Sequence, residues 1–163
     1  MVKKIVGTGV LLVLALALQA GVKMYTLKSP DGKVKLEVTA GQGIAYSLFY
    51  DGRLLLKPSR IALHTDLPEA DHWENIRITG TKQRHVSETV QAPFYRVKEV
   101  GIDCNELELR LNNGFSLLMR AYNDGMAYRF VAGRKGEMTV VEERAEFNFA
   151  DDFEAYIPYS TNP

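Results

Sequence analysis

The strongest constraint on the fold is a turn signal between two alternating runs, in residues 120–130. On both sides of Asn123-Asp124-Gly125, apolar and polar residues alternate, which is the pattern of a half-buried β-strand. Asn, Asp and Gly tolerate the positive φ angles that tight hairpin turns require. The segment therefore predicts a β-hairpin, and with it an antiparallel sheet.

Two registers are open for this hairpin. A two-residue Asp124-Gly125 loop places Arg120 opposite Arg129, and this like-charge pair would need an anion between its members. The anion would be a carboxylate from a neighbouring strand or a bound ligand. A three-residue loop that also includes Asn123 places Arg120 opposite Tyr128, where the guanidinium can stack on the ring. The second register, or an internal carboxylate, is favoured over a bound anion.

The same alternation continues along most of the chain, with turn residues between the runs. Asp51-Gly52 predicts a second hairpin, and Asn113-Gly114 predicts a third with a type I′ turn. Pro58 and Pro93 are expected to interrupt strands. The predicted strands cover residues 22–28, 34–39, 44–50, 53–56, 61–64, 76–85, 94–100, 106–111, 115–122, 126–130, 138–149 and 153–157. Since no window after the N-terminal segment has helical periodicity, the sequence predicts an all-β antiparallel β-sandwich.

The N-terminal segment has the pattern of a secretory signal peptide. Lys3 and Lys4 precede an apolar stretch over residues 5–18, and Ala20 offers a small residue for cleavage. The stretch is short for a membrane span. We expect residues 1–21 to be removed and residues 22–163 to form the mature sandwich domain. The location would then be periplasmic or secreted, with no membrane association after cleavage.

Charge and cysteine content exclude some classes of function. The 163 residues include 20 basic and 20 acidic ones, so nothing indicates binding to nucleic acid or to an anionic membrane surface. Cys104 is the single cysteine, which excludes an internal disulfide. It lies in a strand-like run, where a small buried residue is favoured over a catalytic thiol.

Residues with catalytic or ligand chemistry occur in groups, but at no spacing that defines a site. One group, in and beside a polar loop, could bind a metal, although its spacing fits no known ligand pattern. It consists of His64, Asp66, Glu69, Asp71 and His72. Neighbouring carboxylates occur as the pairs Glu106 and Glu108, Glu142 and Glu143, and Asp151 and Asp152. Solvent exposure is favoured for them over acid–base catalysis. We therefore assign no catalytic residue and no metal ligand, and leave substrate-binding residues open.

Aromatic side chains offer a possible sugar-stacking platform. Tyr46 and Tyr50 share one strand face, with Leu48 between them. Such residues more often belong to the core or to cross-strand pairs. The other candidates are Trp73, Tyr95, Tyr122, Tyr128, Tyr156 and Tyr159.

Taken in order, several short motifs resemble those of one protein family. They are Ser29-Pro30-Asp31-Gly32-Lys33, Tyr50-Asp51-Gly52, Pro58-Ser59-Arg60, Asn105-Glu106-Leu107, residues 120–130 and Phe147-Asn148-Phe149. Together they resemble the N-terminal domain of glycoside hydrolase family 97. The segment RAYNDGMAYRF is the most specific of them.

The resemblance implies an exported bacterial enzyme that hydrolyses α-glucosidic or α-galactosidic bonds, with calcium in its active site. It implies a galactose-mutarotase-like β-supersandwich that packs on a catalytic (β/α)8 barrel, which carries the catalytic carboxylates. On this basis the chain is expected to be a partial domain, incomplete at its C-terminus, with no cofactor of its own and no activity alone. Its partners would be the barrel of the same polypeptide and, in the full enzyme, an α-linked oligosaccharide.

Two alternatives belong to other classes of function. The first is a stand-alone periplasmic sandwich that binds carbohydrate through surface tyrosines. The second is a structural or protein-binding sandwich, for which an exposed apolar face would be expected.

Overall fold

The computed structural model describes residues 23–93, 96–133, 135–154 and 156. Within these residues it contains nine β-strands and no helix. The strands are β1 (Met24–Lys28), β2 (Val34–Gly41), β3 (Gly43–Tyr50), β4 (Arg53–Thr65), β5 (Ile78–Gln91), β6 (Glu99–Leu111), β7 (Phe115–Tyr122), β8 (Gly125–Ala132) and β9 (Val140–Ala145). The predicted signal peptide lies outside the described residues.

The strands form two antiparallel sheets. Sheet 1 has the order β1-β2-β3-β4-β9, and sheet 2 has the order β5-β6-β7-β8. Alternate residues of each strand point into the space between the sheets, as in β7, where every second residue is buried. The core includes Leu36, Val38, Ile44, Tyr46, Leu107, Leu109, Leu117 and Met119. The predicted all-β sandwich is confirmed.

The hairpin at Asp51-Gly52 has the predicted turn. Both residues have positive φ, 48° and 80°, and Tyr50 pairs with Arg53. The next hairpin differs from its prediction. Three residues separate β6 from β7, and of these only Gly114 has positive φ, at 86°. The predicted type I′ turn is wrong because Asn113 uses its side chain instead: its Oδ1 accepts a bond from the Phe115 amide at 3.3 Å.

The hairpin of residues 120–130 has a register that neither prediction gave. Tyr122 pairs with Gly125, so the loop is Asn123-Asp124, and Arg120 lies opposite Ala127. This register keeps apolar core residues opposite each other, for example Met119 and Tyr128. The three-residue loop would have shifted one strand by a single residue and turned its core side chains outward.

Pro58 does not end its strand, contrary to prediction. β4 runs from Arg53 to Thr65, and the register with β3 shifts between Tyr46 and Leu48, where Pro58 lies. A bulge is a position where a strand tolerates proline, since ladder bonds are already interrupted there. Ser59, directly after the proline, is fully buried.

The long predicted strand over residues 138–149 is regular only as β9. Beyond it, residues 146–150 continue along β4 through scattered backbone bonds. The Glu146 amide donates to the Arg60 carbonyl at 3.0 Å, and the Lys57 amide donates to the Asn148 carbonyl at 2.8 Å. The predicted strand over 153–157 is not found among its described residues.

β5 is longer than predicted and ends where Pro93 was expected to interrupt it. Of the predicted strand over residues 94–100, residues 96–98 are not in a strand, and residues 99–100 belong to β6. Phe94 and Tyr95 lie outside the described residues, and β6 begins at Glu99. From there β6 pairs with β5 along its length, which places Glu106 at the centre of sheet 2.

Candidate functional site

The side of sheet 2 that is turned away from sheet 1, here called the outer face, carries a row of charged side chains. Arg84 of β5 pairs with Glu106 of β6, which pairs with Arg120 of β7. Alternation sends Leu107 into the core and Glu106 to the outer face. Three charged residues on three adjacent strands therefore lie side by side.

Glu106 is bound by both arginines. Arg84 Nε donates to Glu106 Oε1, and Arg120 Nε donates to Glu106 Oε2, each at 2.7 Å. These side chains cover the carboxylate so well that Glu106 is only 4% exposed. Burial raises the pKa of Glu106, but the hydrogen bonds from Arg84 and Arg120 outweigh it and hold that pKa below its ordinary value. The prediction of solvent exposure is therefore wrong for Glu106.

Arg120 has a second polar neighbour, Tyr122. The hydroxyl of Tyr122 and the carboxylate of Glu106 both raise the pKa of Arg120. The internal carboxylate considered for Arg120 is thus Glu106. A carboxylate held between two permanent cations does not take up a proton near neutral pH. The cluster of Arg84, Glu106, Arg120 and Tyr122 can therefore position groups and present positive charge, but it is unsuited to acid–base catalysis.

A small pocket of ≈ 160 Å³ opens beside the cluster. It is lined by Leu118, Arg120, Tyr122, Ala127, Tyr128 and Arg129. Arg129 lies opposite Leu118 and points to the same outer face as Arg120. It is exposed, and it has no ion pair among the described residues. Two guanidinium groups therefore flank one pocket.

The predicted metal group is only partly assembled. His64 Nδ1 lies 2.8 Å from Asp71 Oδ1. Asp66 is engaged elsewhere: its Oδ1 accepts a bond from the Thr139 amide at 2.9 Å, and this bond lowers the pKa of Asp66. Among the described residues, no group of three or more His, Cys, Asp or Glu side chains is close enough to hold a metal ion.

The other carboxylate pairs do not form acid–base pairs. Glu142 and Glu143 are exposed on β9 and, as neighbours in a strand, point to opposite faces. Glu143 Oε1 accepts a bond from the Tyr128 hydroxyl at 3.1 Å. Asp151 and Asp152 are exposed, and Asp151 lies 3.5 Å from Arg53.

Burial excludes Tyr46 from a sugar-stacking platform and confirms the favoured prediction of a core residue. Tyr46 is 1% exposed, while Tyr50 is 44% exposed. The Tyr46 ring lies in the core against Tyr128, with centroids 6.2 Å apart. Trp73 is also a buried core residue, and its Nε1 donates to the Leu63 carbonyl at 3.0 Å. Tyr156 is exposed, and Tyr95 and Tyr159 lie outside the described residues.

Cys104 is fully buried, as predicted, but on the outer face. It pairs with Val86, one row beyond the pair of Arg84 and Glu106.

Sequence patterns gave no sign that Arg84 belongs to a site, because its partner Glu106 is 22 positions away. Only the knowledge that β5 pairs with β6 in this register would have indicated it.

The motifs on which the family resemblance was based contact one another. Asn123 Oδ1 accepts a bond from the Asp31 amide at 3.0 Å, which joins the Ser29–Lys33 turn to the β7–β8 hairpin. Asn105 Nδ2 donates to the Lys28 carbonyl at 2.8 Å. Asn148 Nδ2 donates to the Pro58 carbonyl at 2.8 Å. These motif residues hold the two sheets and their edges together.

Fold and site together define an antiparallel β-sandwich with an ionic cluster on one outer face. A family model described as the N-terminal part of glycosyl hydrolase 97 matches residues 27–163. The chain belongs to this family, as its motifs predicted.

Curated relatives agree with this assignment. A retaining alpha-galactosidase of Bacteroides thetaiotaomicron is 40% identical over 145 residues, which cover 88% of this chain and 22% of the relative. A probable retaining alpha-galactosidase of Streptomyces bingchenggensis is 26% identical over 132 residues, covering 78% of this chain and 20% of the relative. The chain thus spans about a fifth of the length of the curated relatives it matches.

Solved structures show the same fold. A glycoside hydrolase family 97 enzyme from Pseudoalteromonas sp. strain K8, in complex with panose, has a TM-score of 0.64 and 19% identity, covering 78% of this chain and 20% of that one. A beta-arabinopyranosidase has a TM-score of 0.67 and 26% identity, covering 77% of this chain and 21% of that one.

No helix that could cross a membrane occurs in the part of the chain that the structure describes.

Proposed function

We propose that this chain is the non-catalytic N-terminal module of an exported family 97 α-glycosidase. In the complete protein it packs on a catalytic (β/α)8 barrel and helps to shape the active site, while the barrel supplies the catalytic carboxylates. The substrate of the complete enzyme would be an α-linked oligosaccharide. The names and lengths of the curated alpha-galactosidase relatives support this proposal.

One structural observation carries the proposal: among the described residues no strand covers the side of the sandwich between β8 and β9, here called the open side. β8 and β9 are edge strands of the two sheets. They lie on the same side, since the Tyr128 hydroxyl of β8 reaches Glu143 of β9. Edge strands leave backbone groups unpaired and are usually covered or blocked in a finished domain.

Aromatic side chains lie along this open side. Phe147 and Phe149 follow β9 and are each 57% exposed. Phe149 bridges to Leu56, a buried residue, so it extends a row of core side chains past the edge of sheet 2. Exposed phenyl rings next to free strand edges indicate a surface that more protein covers.

Calcium is proposed only for the complete enzyme. Calcium takes six to eight oxygen ligands. The described residues do not offer such a set: His64 and Asp71 pair with each other, and no group of three potential ligands is present among them. The described residues therefore offer no such ligand set, and the proposed calcium would take its ligands from elsewhere in the complete protein.

Export is proposed from the N-terminal pattern of residues 1–21. Cleavage before the sandwich would release the mature protein to the periplasm or the medium. Determination of the N-terminal residue of the protein from its host tests this directly: a start near Gly21 or Val22 is expected, and a retained Met1 would contradict export by this signal.

An activity assay tests the non-catalytic role. The complete gene product is expected to hydrolyse 4-nitrophenyl α-galactoside or α-glucoside, whereas purified residues 22–163 should not exceed the blank. Robust turnover by the shorter protein would contradict the proposal. Calorimetry with α-galactosides and maltooligosaccharides tests the alternative of a free-standing carbohydrate-binding domain, for which tight binding by the shorter protein would be needed.

A further inference from the structure

We propose that the outer face of sheet 2 is the docking surface for the catalytic domain, and that Arg120 and Arg129 together bind a carboxylate side chain of that domain. This rests on the proposed function, because it assumes that a catalytic domain is attached. It adds the location and the chemistry of the contact.

The outer face has an excess of positive charge. Among the described residues it carries five basic side chains and three acidic ones, which leaves two positive charges unbalanced. The basic residues are Lys82, Arg84, Arg110, Arg120 and Arg129, and the acidic ones are Glu88, Glu106 and Glu108. A surface of this kind is complementary to an acidic partner.

The two arginines of the pocket differ in their ion pairing. Arg120 is held by Glu106 through its Nε, and its side chain is only 24% exposed. Arg129 has no carboxylate partner among the described residues. A fixed guanidinium beside an unpaired one favours a carboxylate that accepts bonds from both, since charge-assisted bonds to arginine are the stronger kind.

The pocket is too small for a sugar chain. Its ≈ 160 Å³ lies below the several hundred Å³ of a typical small-molecule site. A single Asp or Glu side chain is a better match in size. Leu118 and Ala127 line the pocket and would contact the methylene groups of such a side chain.

Part of the outer face is shielded from solvent within this chain. Cys104 is 0% exposed and Val86 is 8% exposed, on the face that points away from the core of the sandwich. Glu106 is buried there too. These positions are covered within this chain itself, so the part of the outer face that remains available to a partner is the one around the exposed Arg129.

The occupant that we propose is the catalytic domain of the complete protein. The relatives are about five times as long as the matched segment, so most of their surface belongs to the remainder. Arg129 lies on the edge strand β8, so the outer face is continuous with the open side of the sandwich. One domain could therefore cover both.

Cross-linking in the complete gene product tests the contact. Arg129→Lys keeps the charge and introduces an amine that a zero-length carbodiimide reagent can join to a touching carboxylate. We expect mass spectrometry to find position 129 joined to an Asp or Glu of the catalytic domain. Arg77→Lys is the matched control, because Arg77 is exposed on a loop and, like Arg129, has no ion pair among the described residues; it should give no such product.

The proposal is overturned if position 129 gives no product beyond that of the control, if its products join it to further strands of the sandwich instead of the catalytic domain, or if they join two copies of the protein. In each case activity and mass show whether a catalytic domain is present. An active, full-length enzyme without the cross-link refutes the docking surface and leaves the proposed function standing. A gene product without a catalytic domain refutes both.

Charge reversal gives a second measurement. Arg129→Glu should lower the temperature at which the sandwich unfolds in the full-length protein, because a carboxylate would then face a carboxylate. Arg77→Glu should leave that transition unchanged. Equal transitions in the two variants would count against the docking surface even if both proteins fold and hydrolyse substrate normally.

Discussion

Glu106 and Glu108 lie two residues apart on the same face of β6, yet their surroundings differ. Glu106 is covered by two arginines and almost fully buried, whereas Glu108 is half-buried and accepts one bond of 3.5 Å from Ser116. The sequence pattern is the same for both residues. Their difference comes from the residues opposite them, Arg84 and Arg120 in one row and Lys82 and Leu118 in the other.

Replacement of Glu106 tests the importance of the cluster. Glu106→Gln removes the charge between two fixed cations, and it should destabilise the sandwich by about 1–3 kcal/mol, the usual cost of an unsatisfied buried polar contact. Glu108→Gln, the control on the same face, should change stability by less than about 0.5 kcal/mol. Urea unfolding of the two variants measures the difference, and equal midpoints would contradict a structural role for Glu106.

Tyr128 provides a prediction about pH. Burial, the nearby Glu143 carboxylate and its hydrogen bond raise the pKa of Tyr128 to about 12, from an ordinary value of 10.0. Since the folded state holds the proton more tightly, the contribution of this residue to stability is complete below pH 10 and is lost as the pH rises from there through 12.

Stability measured against pH, for the natural protein and Tyr128→Phe, checks the sign. The natural protein should lose more stability than the variant between about pH 10 and 12. Absorbance titration of the tyrosines should show one hydroxyl fewer ionising late in the variant. An identical alkaline loss in both proteins would contradict the shifted pKa.

At the scale of strands and turns, chain positions that look alike in sequence take different conformations. Asp51-Gly52 forms the predicted tight turn, but Gly125 does not have positive φ and begins β8. Gly114 has a φ of 86°, although Asn113 before it does not share the left-handed conformation. Turn residues therefore predicted the positions of the hairpins correctly, but they did not predict the loop length and turn type of each one.

Two glycine substitutions test the hairpin registers. Gly114→Ala should destabilise the sandwich by about 1 kcal/mol or more, because alanine is strained at positive φ. Gly125→Ala should be neutral or stabilising by up to about 1 kcal/mol, since a Cβ there would meet nothing within 4 Å. A large loss in Gly125→Ala would indicate the two-residue or three-residue loop that the sequence alone suggested.

Much of the element pattern could be predicted because alternation and turn chemistry act locally. Strands such as β2, β3 and β7 were found close to their observed bounds. What failed depends on contacts that are distant in sequence. Pro58 stays within β4 because a bulge and Asn148 accommodate it, and Glu106 is buried because Arg84 arrives from another strand. Neither partner can be identified from local sequence.

At the scale of the whole molecule, we propose that two surfaces are covered in the complete protein. The open side exposes Phe147 and Phe149 beside the edge strands β8 and β9. The outer face of sheet 2 presents the cationic pocket of Arg120 and Arg129. One surface is apolar and the other charged, so the isolated sandwich should associate through the first.

We expect purified residues 22–163 to self-associate, because burying a phenyl side chain is worth about 1.5–3 kcal/mol. Replacing both Phe147 and Phe149 with lysine should reduce the association, while the matched change at Tyr156, an exposed residue beyond this surface, should not. Sedimentation velocity over a range of concentrations measures the effect. A natural-sequence protein that stays a monomer at high concentration would contradict an uncovered apolar side.

The central claim, that this sandwich is one module of a larger glycosidase, is tested most directly by the mass of the natural protein. An antibody raised to residues 22–163 would isolate it from its host for intact mass measurement. We predict a mass several times the 18.3 kDa of this chain, in line with the length of its relatives. A mass matching residues 22–163 alone would contradict the claim and identify a free-standing domain.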